Sequence, residues 1–112
     1  MNESYPNDAD GDALRRIAAD GSDMTRPMVI DFHVAAPDQA AAEAIAEAAG
    51  QRGYRTKVYR DEDSSAWTCE CSKEMVATHA AVMAAQDELD ALSRPHSGHS
   101  DGWGTFGNAE QG

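Results

Sequence analysis

Basic residues are scarce in this sequence. Nine Lys and Arg stand against 20 Asp and Glu in 112 residues, a formal charge of −11. Such a field repels phosphate, so the counterion release that drives most nucleic-acid binding works against the chain, and anionic lipid headgroups are turned away for the same reason. Direct nucleic-acid binding and membrane association are therefore not expected; a cationic polypeptide segment or a metal ion is what the charge favours. The surplus also has a plainer use, since it keeps a small protein soluble. Long apolar runs are missing as well. No stretch approaches the ~20 residues that a membrane-spanning helix needs, and Met1 to Asp12 lack the basic-then-apolar order of a secretory signal. The expected location is the cytoplasm. Cysteine is limited to Cys69 and Cys71, too close together for an easy intrachain bridge, which agrees with a reducing compartment. A phosphate-cradling glycine loop, a dinucleotide fingerprint and a nucleophile elbow are all absent, so no enzyme and no cofactor are expected. Aromatic residues make up only 6%, so the few large rings belong where packing depends on them.

What remains is enough for one domain, since a chain of this length buries on the order of two-thirds of its unfolded surface. Residues 1–7 read as a frayed, disordered N-terminus, 8–107 as a single domain and 108–112 as a tail. Asp8 to Asp20 reads as a short helix with an acidic start, Leu14 and Ile17 on one face, and Gly21 as a stop. Met28 to Ala35 alternates with period two: Met28, Ile30, Phe32 and Val34 point one way, Val29, Asp31 and His33 the other. Asp38 is placed to cap an alanine-rich helix that runs to about Arg52 and stops at Gly53. Tyr54 to Arg60 alternates again, the cluster 61–65 is a hairpin loop, and Ala66 to Cys71 returns with Trp67, Cys69 and Cys71 on one side. Ser72 is expected to cap a long helix reaching Ser93, with Met75, His79, Val82, Met83, Gln86 and Leu89 on its stripe; Pro95 ends it, and Trp103 to Phe106 form a short last strand. A helix followed by β-α-β-β-α-β predicts an α+β fold of ferredoxin-like type, an antiparallel sheet with helices on one face and an extra N-terminal helix.

Several constellations invite chemistry and fail on spacing. Cys69-x-Cys71 with His96-x-x-His99 departs from the two-to-four-residue cysteine separation of structural zinc sites, and alternation places both thiols in the core. Asp8-x-Asp10-x-Asp12 begins like a calcium loop, but Ala13 and Ala19 occupy the positions that need Gly and an acid. His79 lies on an apolar stripe and reads as an interior or boundary histidine. The outward sheet face collects Asp31, His33, Arg55, Lys57, Tyr59, Thr68 and Glu70, a poor platform for stacked bases with its single aromatic and mixed charge. The most unusual string is Asp101-Gly102-Trp103-Gly104-Thr105-Phe106, in which Trp103 either plugs the end of the core or stands out as a docking anchor.

That string, together with the early Asn7-Asp8-x-Asp10-Gly11-Asp12-Ala13-Leu14, resembles the regulator of ribonuclease activity B family. The resemblance in element order covers roughly Tyr5 to Gly107. It implies a ferredoxin-like domain, with no catalytic residues, that binds ribonuclease E through the enzyme's basic, largely disordered scaffold region and inhibits it. Acidic strings meeting an arginine-rich segment make electrostatic sense, and the expected contacts are Asp8, Asp10, Asp12, Asp61, Glu62, Asp63, Asp101 and Trp103. Two other readings compete. One is a small ligand or modest acid–base chemistry on the open sheet face at His33, Asp31 and Tyr59; the other is self-association of two copies through that face.

Overall fold

Alternation is the strongest local signal in the chain, and the computed structural model, which describes residues 8–60, 62, 66–105 and 107–108, builds its sheet around it. The central strand β1 (Pro27–Ala36) buries Met28, Ile30, Phe32, Val34 and Ala36 on one side and leaves the intervening residues on the other. Before it comes α1 (Ala9–Ala19); after it come α2 (Gln39–Gly50), β2 (Arg55–Arg60), β3 (Trp67–Val76), α3 (His79–Ser93), one turn of 3-10 helix (Arg94–His96) and β4 (His99–Thr105). The strands lie in the order β2-β3-β1-β4 with every neighbouring pair antiparallel. That order, with a helix between β1 and β2 and another between β3 and β4, is the ferredoxin-like arrangement preceded by a helix, as the sequence predicts.

Each helix start has a local chemical cause. Asp8 accepts from the Gly11 amide at 2.7 Å and begins α1; Asp38 accepts from the Ala41 amide at 2.8 Å and begins α2; Thr78 accepts from the Ala81 amide at 3.0 Å and begins α3. The third start corrects the expectation of a cap at Ser72. Residues 72–76 stay in β3 because β1 supplies partners for all of them, from Asp31 opposite Ser72 to Pro27 opposite Val76. Met75 is thus a strand residue opposite Met28, not part of the helical stripe. At the other end β4 begins at His99 rather than Trp103, and its register against β1 shifts between Phe32 and Val34, where Gly102 takes φ +98°.

The core lies between the inner sheet face and the helices. Leu14 from α1, Ile45 from α2, Val82 and Leu89 from α3, and Ile30, Phe32, Val34, Cys69 and Cys71 from the sheet are fully buried. Closing off Phe32 alone contributes about 2 kcal/mol of apolar transfer, and the Tyr54 ring meets it edge-on at 6.3 Å. Cys69 and Cys71 are both free, with sulfurs 3.6 Å apart. The hydrogen bond that its thiol makes to Cys69 and the burial around it push the Cys71 thiol up, which keeps it protonated at neutral pH. Gly98 sits where chain meets chain: a Cβ there would lie 2.7 Å from the Ala35 carbonyl oxygen and 2.9 Å from Ile45 Cδ1.

Candidate partner-binding site

The acidic first turn of α1 and the glycine-flanked tryptophan of β4 are far apart in sequence and meet in the fold. Trp103 stands opposite Phe32 in the β1–β4 register, which sends its ring to the helical side of the sheet, half-buried against the core. Its indole N–H donates to Asp10 Oδ1 at 2.6 Å, and the Gln86 side-chain amide of α3 donates to the same oxygen at 3.3 Å. Two residues earlier, Asp8 caps α1 with one oxygen and meets His79 Nε2 at 3.2 Å with the other. The Gly11 amide, aided by His79, holds the Asp8 carboxyl below the usual carboxylate range. Asp12 is paired with Arg15 on its own helix. α1 is thereby fastened to the first residue of α3 and to β4 through side chains that the sequence singles out as partner contacts.

The remaining expected contacts lie elsewhere. Asp101 is exposed on β4, next to the bulge. Glu62 is exposed in the β2–β3 connection, on the far side of the sheet from β4; Asp61 and Asp63 lie outside the described residues. So the fold brings together Asp8, Asp10, Asp12 and Trp103 and separates Glu62 from them. His79 is the boundary histidine that the sequence suggests, with Asp8 as its partner.

The outer sheet face is arranged in rows by the register. Arg55, Ser72, Asp31 and Gly104 stand side by side; next come Lys57, Glu70 and His33; then Tyr59, Thr68, Ala35 and His99. The Ser72 hydroxyl donates to Asp31 Oδ1 at 2.5 Å, so this carboxylate is engaged by a hydroxyl and not by His33. Among the described residues no group of three or more His, Cys, Asp or Glu is placed to hold a metal ion.

Two further features escaped sequence reasoning. Asn108 ties the chain beyond β4 to the loop before β1: its side-chain amide donates to the carbonyls of Asp23 at 3.0 Å, Arg26 at 3.2 Å and Pro27 at 3.2 Å, and its Oδ1 accepts from the Asp23 amide at 2.7 Å. A shallow groove of about 350 Å³ lies between β3 and α3, lined by Tyr54, Lys73, Met75, Ala81, Ala84, Ala85 and Glu88. At its end the Tyr54 hydroxyl donates to Glu88 at 2.9 Å, Arg52 pairs with Glu88 at 2.9 Å, and the Lys73 ammonium sits 4.6 Å from the centre of the Tyr54 ring. Burial first, then Glu88, raises the Tyr54 phenol well above its ordinary value. The only sequence signal for this groove was the alternation that turns Lys73 and Met75 inward once β3 is known to continue past Cys71.

Comparison with known proteins covers the first string and all of the second but Phe106. A family described as Regulator of ribonuclease activity B matches residues 7–105, which takes in the acidic start of α1 and all of β4. No curated protein matches the chain.

Proposed function

Because the chain belongs to the regulator of ribonuclease activity B family, we propose that it works by binding ribonuclease E and lowering that enzyme's RNA-cleaving activity, without a reaction of its own. The observation that carries this reading is the charge of −11 on a domain of that family. A carboxylate-rich body repels the RNA substrate and attracts a basic polypeptide, so the point of attack is the enzyme's basic scaffold region. Asp101 and Glu62 are exposed and available to such a segment. Asp8, Asp10 and Trp103 serve it indirectly, by fixing α1 against β4.

The test is association with the purified basic region of ribonuclease E over a salt series, beside an RNA-cleavage assay. Affinity falls steeply as salt rises from 50 to about 300 mM, because screening shortens the reach of the field, and cleavage slows as the regulator is added. Absence of salt-sensitive association together with unimpeded cleavage removes the reading.

A further inference from the structure

Three large apolar side chains stay more than one-third exposed among the described residues, Val29 at 38%, Tyr59 at 37% and Val76 at 37%. All three stand on one surface. Val29 shares its side of β1 with Asp31 and His33; Val76 shares its side of β3 with Glu70, Ser72 and Glu74; Tyr59 shares its side of β2 with Arg55 and Lys57. This is the sheet face away from the buried row Met28, Ile30, Phe32 and Val34.

The carboxylates of this face differ from those of α1. Among the described residues Glu70 and Glu74 form no ion pair and no side-chain hydrogen bond, and Asp31 is engaged only by the neutral Ser72 hydroxyl. Glu74 is exposed, while Glu70 and Asp31 are half-buried. Lys57 stands opposite Glu70 and offsets part of its charge, so the least compensated carboxylates of the face are Asp31 and Glu74. Beside Asp31 lies Gly104, where a Cβ would meet no described residue within 4 Å, and the backbone there is not left-handed. No described residue requires glycine at this position. Its effect is to leave the β4 side of the face flat, so that a backbone can approach closely. Arg55 and Lys57, on β2, are the cations of the same face.

We infer that the outer sheet face, over β1, β3 and the glycine stretch of β4, is the docking surface for a basic polypeptide segment of the partner. Val29 and Val76 seat its apolar side chains, and Asp31, Glu70 and Glu74 receive its Lys or Arg groups. The inference rests on the proposed reading and names its surface. Arg55 and Lys57 repel the segment and steer it toward the β4 side, and this gives the surface a signature that no acidic patch on α1 shares.

The experiment measures calorimetric affinity of the ribonuclease E basic region for the intact protein and for charge variants whose folding is checked by circular dichroism. E70Q/E74Q weakens binding about tenfold, R55Q/K57Q tightens it several-fold, and D12N on α1 changes it less than about twofold. Unchanged affinity in E70Q/E74Q and R55Q/K57Q, with or without a loss in D12N, overturns the surface and leaves the regulatory reading standing. No binding by the unaltered protein sinks the regulatory reading itself. If R55Q/K57Q and E70Q/E74Q instead turn a sedimenting dimer into a monomer and leave affinity for the basic region alone, the face pairs two copies and the inference is wrong.

Discussion

Two groups of carboxylates share this molecule and live in opposite circumstances. At the corner where α1 meets β4, Asp8 caps a helix and reaches His79, Asp10 accepts from Trp103 and Gln86, and Asp12 pairs with Arg15. On the outer sheet face Glu70 and Glu74 have no such partners among the described residues. The difference teaches that acidity alone does not locate a binding surface. A carboxylate that satisfies backbone and indole N–H groups stabilises the fold, while one left without partners is the kind that gains on meeting a cation. The two groups should therefore separate cleanly in stability and binding measurements.

The corner carries the largest stability effect. Trp103→Ala removes a half-buried ring from the core and leaves Asp10 with only the longer hydrogen bond from Gln86. The expected loss is about 3 kcal/mol, read from urea unfolding, at the low end for a large aromatic because the ring is not wholly enclosed. Trp103→Phe keeps most of the packing and loses the N–H, so it divides the effect; about 1–2 kcal/mol belongs to the hydrogen bond to a charged acceptor. Should Trp103→Phe prove as stable as the parent, the Asp10 contact is incidental and the corner is held by packing alone.

Gly98 gives the next largest effect and tests the inner side of the same region. A Cβ there meets the Ala35 carbonyl and Ile45 at contact distances that real side chains do not reach. Gly98→Ala must push the start of β4 away from β1 and α2, at a cost of about 2 kcal/mol. Unfolding midpoints for Gly98→Ala and Gly104→Ala make the contrast: the second substitution enters open space and leaves stability within about 0.5 kcal/mol.

How much of this was legible beforehand depends on whether the cause is local. β1 could be read because period two is written in the residues themselves, and Asp38 could be read as a cap because its partner is three residues away. The end of β3 could not. Ser72 to Val76 carry no periodicity strong enough to choose between strand and helix, and the choice is made by β1 across the sheet. The site divides in the same way. Asp10 and Trp103 stood out as strings, but their bond spans 93 positions, and the Asn108 clasp on Asp23 spans 85. Glu70 stood out only as one of the outward sheet residues, and Glu74 carried no signal of its own. What marks both is the lack of an ion-pair partner among the described residues, which only the fold reveals.

Acid titration gives a smaller and differently shaped effect. The Gly11 amide lowers the Asp8 carboxyl, and the Ser100 amide followed by Arg94 lowers that of Asp90. A carboxylate depressed in the folded state contributes stability that is complete above its unfolded pKa of about 3.9 and is lost as pH falls through the lower folded value. Urea midpoints should therefore hold steady from pH 7 to about 5 and fall below about 4. Asp8→Asn should flatten that acid limb while lowering the plateau, because the amide is a capping group without the charge that His79 meets. An unchanged acid limb in Asp8→Asn would place the titration elsewhere.

The smallest stability effect belongs to the outer face, and it is the one that decides the comparison. Glu70→Gln with Glu74→Gln removes two charges that make no ion pair among the described residues, so unfolding free energy moves by less than about 0.5 kcal/mol. The same variant carries the largest expected loss of partner affinity. Opposite rankings in the two assays, Trp103→Ala first for stability and Glu70→Gln/Glu74→Gln first for binding, are what a division between bonded and unbonded carboxylates requires. If both assays ranked the variants alike, the loss of binding would be a loss of fold, and the two groups of acids would be doing one job.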